Sequence, residues 1–287
     1  MSTAKNFPHN IYSLSEADQQ PCTVMLCAFD GWNDAGSAAT EVIDYLMRVF
    51  PAEPIAGFNT ESFYSFTESR PRLESSADGT GKIIWPELRC VALQVRENLQ
   101  LLVVSGPEPN VQWRSFATAL LQYAQQLSVD HLLFLGSLLE EIPHTRPFPV
   151  SVSSYTSKLR AFEGVQVQSY SGPTGIVGVL ALMAESYPMT DVSCWVSIPH
   201  YAGLPPHPKA TFALLQTVES ILDIQVPHGR ILQEVQAWED GAEALLEEDP
   251  ELAAYVRELE SQSENLVQFS GEDIAAELEQ YLRRREE

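Results

Sequence analysis

The amino-acid sequence predicts an α/β protein: a three-layer sandwich whose central sheet, mostly parallel or mixed, carries helices on both faces and is followed by a C-terminal helical extension. Short apolar runs bounded by turn residues, TVMLCAF at 23–29, HLLFLGS at 131–137 and VSCWVSI at 192–198, read as strands covered on both sides. They alternate with stretches whose apolar residues recur every three or four positions, the period of a helix packed along one face. Beyond Pro227 only the helical period survives, on a strongly acidic chain.

Each element follows from its local pattern. After 23–29, Ala39, Val42, Ile43, Leu46 and Val49 or Phe50 form a helical stripe that Pro51 stops, and EPIAGFN at 53–59 reads as a second strand. Together they make a βαβ unit, whose crossover is right-handed. Between 60 and 105, IIWPE, CVALQV and LQLLVVSGP are short apolar segments separated by turn residues such as SSADGTGK, the pattern of hairpins or a meander extending the sheet. Phe116, Leu120, Tyr123, Ala124 and Leu127 then mark a helix before the strand at 131–137. VQVQSY at 165–170 alternates as a strand, IVGVLALMAES at 176–186 reads as a helix, and KATFALLQTVESIL at 209–222 is an amphipathic helix after the strand at 192–198. These elements define an α/β core over 1–227.

Residues 228–287 form the extension. Three stripes predict three helices: Ile231, Val235, Trp238, Ala242 and Leu245; Leu252, Tyr255, Val256 and Leu259; Ile274, Leu278, Tyr281 and Leu282. The segment holds 17 acidic and 5 basic residues. Its helices are expected either to dock on the core or to meet those of a second subunit.

Composition excludes several classes of function. The chain has 287 residues, 45% of them hydrophobic, and a formal net charge of -22. That balance repels nucleic-acid phosphates and anionic membrane surfaces, so neither is an expected partner. No apolar stretch approaches the roughly 18 residues that span a bilayer, and the N-terminal residues lack the basic and apolar regions of a secretory signal. Cys22, Cys27, Cys90 and Cys194 have no CxxC spacing and read as buried, reduced thiols, which points to the cytoplasm.

Polar residues gather where the buried strands end: Asp30, Trp32, Asn33 and Asp34; Glu140, Glu141, His144, Thr145 and Arg146; His200, Tyr201 and Lys209. The turn SGPTGIVG at 171–178 leads into a helix at the same expected edge, the edge at which open parallel sheets bind ligands. Asp34 suits the cap of the following helix as well as a ligand contact. Gly172, Gly175 and Gly178 suit close helix packing, while Thr174 and free helix N–H groups suit an anion. His144 and Arg146, between prolines, suit a base and an anion ligand or structural hydrogen bonds. Adjacent Glu140 and Glu141 diverge on a helix and do not make a carboxylate pair. His200 and His207 lack metal-ligand spacing, so neither a metal nor another cofactor is expected. There is no GxSxG elbow and no other catalytic motif.

Taken in order, FDGWNDAGSAAT, LGSLLEEIPHTRPFPV, YSGPTGIVGVL and IPHYAGLPPHPKATFALL resemble the proteasome assembly chaperone 2 family, in its bacterial branch, over about 22–225. The acidic tail is similar to the extension of that branch. The resemblance implies a nucleoside-phosphorylase type of sandwich and a homo-oligomer, a trimer by analogy of fold. It also implies a chaperone or scaffold role toward protein partners, proteasome-related ones among them. The family's Tyr-Asp-aromatic and Arg-Pro stretch corresponds to Tyr64, Ser65 and Phe66 before Arg70-Pro71, with Ser65 in place of the acid. The hydrophobic-Tyr-X ending of several relatives is replaced by EQYLRRREE. The expected pocket therefore comprises Asn33, Asp34, Arg70, Glu140, His144, Arg146, Thr174 and His200. The expectation is a cytosolic, oligomeric, non-enzymatic protein-binding factor; the alternative is a hydrolase or phosphorylase for a small anionic or nucleoside-like ligand at the strand-end crevice.

Overall fold

The computed structural model describes residues 21–75, 79–156, 165–168 and 170–262. Its frame is a sheet of eight strands in the order β2-β5-β6-β1-β7-β10-β8-β9. At its centre β1 (Cys22–Asp30) runs parallel to β6 (Leu99–Pro107) on one side and to β7 (His131–Glu140) on the other. β10 (Thr190–Pro199) continues the parallel block beside β7. Successive strand residues point to opposite faces, so a strand covered on both sides must be apolar throughout. In β1, Val24, Leu26 and Ala28 enter one core layer, whereas Met25, Cys27 and Phe29 enter the other.

The first layer is closed by α1 (Ala38–Val49) and α4 (Pro208–Leu222), the second by α2 (Trp113–Gln126) and α3 (Ile176–Ala184). α1 buries Ala39, Val42, Ile43 and Leu46, the stripe read from the sequence. α2 sets Phe116 edge-on to Phe29, Phe58 and Phe63, with ring centroids 5.9, 6.1 and 5.4 Å away. The chain leaves β1 for α1 on one face and leaves β6 for α2 on the other. The carboxyl ends of these neighbouring strands are therefore parted by the switch in direction.

The sheet edges differ from the sequence reading. The strand after α1 is only β2 (Ala52–Pro54), antiparallel to β5 (Arg89–Arg96) at the sheet edge, three positions from β1. Pro54 has no N–H to give to a ladder, and beyond the strand the Ile55 N–H still donates to the Cys90 carbonyl of β5 at 3.0 Å. β5 and β6 form an antiparallel hairpin within the sheet. β3 (Arg72–Ser75) and β4 (Gly81–Ile84) instead pair only with each other as a separate two-stranded sheet. An unexpected strand, β8 (Val150–Ser154), lies antiparallel to β10. The strand expected over 165–170 is the two-residue β9 (Gln166–Val167).

The extension begins with α5 (Ile231–Glu248) and a further helix, α6, over 250–262. α5 packs on α4, burying Ile231 and Ala242 and laying Val235 and Trp238 on the first core layer. Val256 and Leu259 of α6 are also buried. Docking on the core is thus the arrangement of these two helices, and the third stripe, Ile274 to Leu282, lies outside the described residues. No described helix is long and apolar enough to cross a membrane.

The aromatic cluster supplies a direct test of this layering. Phe116→Ala removes the ring that joins three others and should cost about 3–5 kcal/mol of unfolding free energy in urea titrations. A loss below about 1 kcal/mol would contradict the packing described.

Candidate functional site

The carboxyl edge of the parallel block is organised by the loop 31–37. Gly31 has φ +115°, and Gly36 and Ser37 follow with φ of 63° and 55°. These left-handed residues let the backbone wind back under itself before α1 starts. A Cβ on Gly36 would lie 2.9 Å from that of His207, so glycine is also needed for room.

Asp34 is buried in this loop and caps α1 from outside the helix. Its Oδ1 accepts from the Ala39 N–H at 2.7 Å, and its Oδ2 accepts from the Thr40 N–H at 3.3 Å and from the Thr40 hydroxyl. Free N–H groups of a first helical turn seek such an acceptor. Burial raises the carboxyl pKa, and the hydrogen bonds from Thr40 and Ala39 work against that rise. The same loop is tied to β7: the Ser137 N–H donates to the Asn33 carbonyl at 2.9 Å, and the Ser137 hydroxyl donates to the Ala35 carbonyl at 2.7 Å.

Asn33 points the other way, toward α3. Its Nδ2 donates to Glu108 Oε1 at 2.7 Å, and that oxygen also accepts from the Ile176 N–H at 2.7 Å. Glu108, at the end of β6, thereby caps α3. A Cβ on Gly175 would fall 2.1 Å from Asn33 Oδ1, so the close approach of loop and helix requires glycine there. Thr174 folds back on the first turn of α3, its hydroxyl facing Gly178 and donating to the Gly175 carbonyl at 3.4 Å.

The gap between the ends of β1 and β6 is a cleft of about 380 Å³ lined by Asp30, Gly31, Glu68, Ser69, Pro107, Glu108, Pro109, Asn110 and Trp113. Tyr64 and Ser65 hold two of the lining residues in place: the Tyr64 hydroxyl donates to the Pro107 carbonyl and the Ser65 N–H to Asn110 Oδ1, each at 2.9 Å. Three carboxylates and no cation make the lining hostile to a phosphate and suited to a cationic group. None of the eight residues expected to form a pocket lines it. Asn33, Asp34 and Thr174 stand together beside it, and Arg70 is exposed two residues after Glu68.

The other predicted residues lie beyond β7 and β10, beneath the extension. The buried His144 is held by Tyr201: its backbone N–H donates to the Tyr201 hydroxyl at 2.7 Å, and its Nδ1 lies 2.8 Å from the same oxygen. Its Nε2 is 4.0 Å from Glu243 of α5. Lys209 bridges the two layers, donating to the His144 carbonyl and pairing with Glu239 of α5, both at 2.7 Å. Thr145 donates to Glu260 of α6, and the exposed His200 meets the Tyr255 ring at 5.6 Å. Glu140 and Arg146 are exposed on the same side.

His207 was read from the sequence only as one of two widely spaced histidines. It is fully buried, accepts from the Ala210 N–H at the start of α4 through Nδ1, and stacks on Trp238 of α5 with centroids 4.2 Å apart. Burial lowers its pKa to about 4, and burial likewise lowers those of His131 and His144, with Lys209 adding to the effect at His144. The four cysteines are free thiols; burial pushes Cys22 and Cys90 up to about 11. No group of histidine, cysteine and acidic side chains suited to a metal ion occurs among the described residues.

Comparison with known proteins agrees with this architecture. The model of the PAC2 family matches residues 28–246. A solved PAC2 family protein from Streptomyces avermitilis is 38% identical with a TM-score of 0.76, covering 82% of this chain and 99% of its own. A proteasome-assembly chaperone homologue from Mycobacterium tuberculosis is also 38% identical, with a TM-score of 0.73 and coverage of 81% and 99%. A protein of unknown function from Corynebacterium glutamicum shares the fold at 22% identity, a TM-score of 0.78 and coverage of 86% and 92%. A comparison with curated proteins found no match.

Two measurements test the site. Glu108→Ala strands the Ile176 N–H and should cost about 1–3 kcal/mol of stability, whereas Glu108→Gln keeps an acceptor and should cost less; equal losses would contradict the cap. The folded chain binds protons at His207 more weakly than the unfolded chain, whose histidine titrates near 6.5, so this stability is present above about 6.5 and lost as pH falls toward about 4. The melting midpoint should fall over that interval, and less so in His207→Asn, which retains an oxygen for the Ala210 N–H.

Proposed function

The chain belongs to the PAC2 family, and from that premise we propose a cytosolic chaperone or scaffold factor that self-associates and holds protein partners at the carboxyl edge of its sheet. The 38% identity to a proteasome-assembly chaperone homologue supports the chaperone class, with proteasome-related subunits among the partners. The acidic segment 228–287 is a module appended to the core of 1–227, and its helices α5 and α6 shape the edge to which partners bind.

The observation that carries this reading is the exposure of large apolar side chains at that edge. Trp32 after β1 is 73% exposed, Leu204 after β10 is 83% exposed, and Leu139 at the end of β7 is exposed beside Gly203. Apolar groups grouped among polar loops are characteristic of protein-binding surfaces. The neighbouring acidic cleft adds a seat for a lysine or arginine of the partner. The same cleft speaks against a phosphorylase, because its carboxylates repel the phosphate such an enzyme must hold.

Purified chain should retain proteasome α-type subunits or another defined protein in a binding assay, and Trp32→Ala with Leu204→Ser should weaken retention by tenfold or more. Both substitutions are at exposed positions, so the melting midpoint should stay within a few degrees. Retention equal in wild type and double variant would refute the proposed edge.

A further inference from the structure

Helix α3 is apolar on every side. Its sequence, IVGVLALMA, holds no polar side chain, yet the helix lies on the outside of the second core layer. Ile176, Val177, Leu180, Ala181 and Ala184 are buried toward the sheet, whereas Leu182 is 52% exposed and Val179 and Met183 are partly exposed. These three stand at positions i, i+3 and i+4, which share one face of a helix. A helix apolar all round belongs in a protein interior or a membrane, and this one, Ile176–Ala184, is far too short to cross a bilayer. The outer stripe of α3 therefore calls for a protein surface.

Charge identifies that surface as a second copy. The chain carries a net charge of -22, so two copies repel wherever their charged faces meet. α5 holds six acidic side chains and no basic one, and it packs on α4 in the first layer. The second layer is different: residues 171–184 hold no charged side chain, and neither do 115–129, which include all of α2 after Arg114. α2 packs beside α3 and exposes Ser115, Gln122, Gln125 and Gln126. An apolar centre with an uncharged polar surround has the make-up of an interface. Two copies joined through this layer keep their acidic α5 helices on the outer sides, where they repel least. A basic partner gains by meeting the acidic faces; a partner as acidic as the chain itself gains by meeting a neutral one.

We propose that α3 is the self-association helix, and that Val179, Leu182 and Met183 of one copy pack on the same three residues of a second copy about a twofold axis. The inference rests on the self-association put forward above and assigns its contact surface. Such a contact pairs single chains or doubles a ring, so the number of chains is even. Leu182 is half-exposed in the single chain, so its replacement changes the assembly and leaves the fold.

Light scattering coupled to gel filtration reads the outcome. Wild type should run as an even multiple of 31.9 kDa. Leu182→Glu and Leu182→Lys, each folded by circular dichroism, should separately halve that mass, because like charges then meet across the axis. Mixing the two variants should restore it, because opposite charges then meet there. A monomeric wild type would overturn self-association altogether. Wild-type mass in both variants would overturn the α3 face alone. An odd number of chains in the wild type, or halved masses that mixing does not restore, would overturn the twofold pairing.

Discussion

The carboxylate of Asp34 is the fixed point on which the carboxyl edge of this sheet depends. A buried, hydrogen-bonded carboxylate holds its loop in one arrangement, because leaving it without donors costs far more than each bond is worth alone. Asp34 takes its donors from Ala39 and Thr40 at the start of α1. The residues on either side then reach two further helices. Asn33 engages Glu108 and lies against Gly175 at the start of α3, and Gly36 lies against His207 at the start of α4. His207 in turn stacks on Trp238, so the placement of α5 is connected to the same loop. One loop of seven residues thus joins the starts of three core helices and the docking of the extension.

That arrangement gives the polar residues of the edge structural tasks. The polar residues that look reactive in the sequence are occupied in building: Asp34 as a cap, His207 as an acceptor in an aromatic stack, His144 against Tyr201. What faces outward is a cleft of carboxylates at the switch between β1 and β6, together with Trp32, Leu139 and Leu204. The extension adds acidic helices beside it. The partner surface proposed above, basic and apolar, is drawn from that combination, and membership of the PAC2 family places the chain among relatives whose solved members include a proteasome-assembly chaperone homologue.

The core strands were legible because burial on both faces forces continuous apolar runs, as in VMLCAF and HLLFLGS. The amphipathic helices were legible for the related reason that α1, α2 and α4 each bury one stripe. β8 was hidden because VSVSS carries two apolar residues and follows a proline-rich stretch, and only its pairing with β10 makes it a strand. The separation of β3–β4 from the main sheet is likewise a matter of pairing, which local pattern does not encode. Asn33 and Asp34 are noticed by their place at a strand end. Glu108 is not, although SGPEPN marks the end of β6 in the same way, because the segment read from the pattern, LQLLVVSGP, stops one residue before it. The covering of His144 by α5, nearly a hundred residues later, depends on sheet order and had no local signal.

The central claim is that loop 31–37 couples α1, α3 and α5. Hydrogen exchange of the native protein carrying Asp34→Ala tests it most directly, since local opening is reported amide by amide. Protection should be lost together at the first turns of α1 and α3 and across the Trp238 segment of α5. Loss confined to the start of α1 would show that Asp34 caps one helix only, and would contradict the coupling.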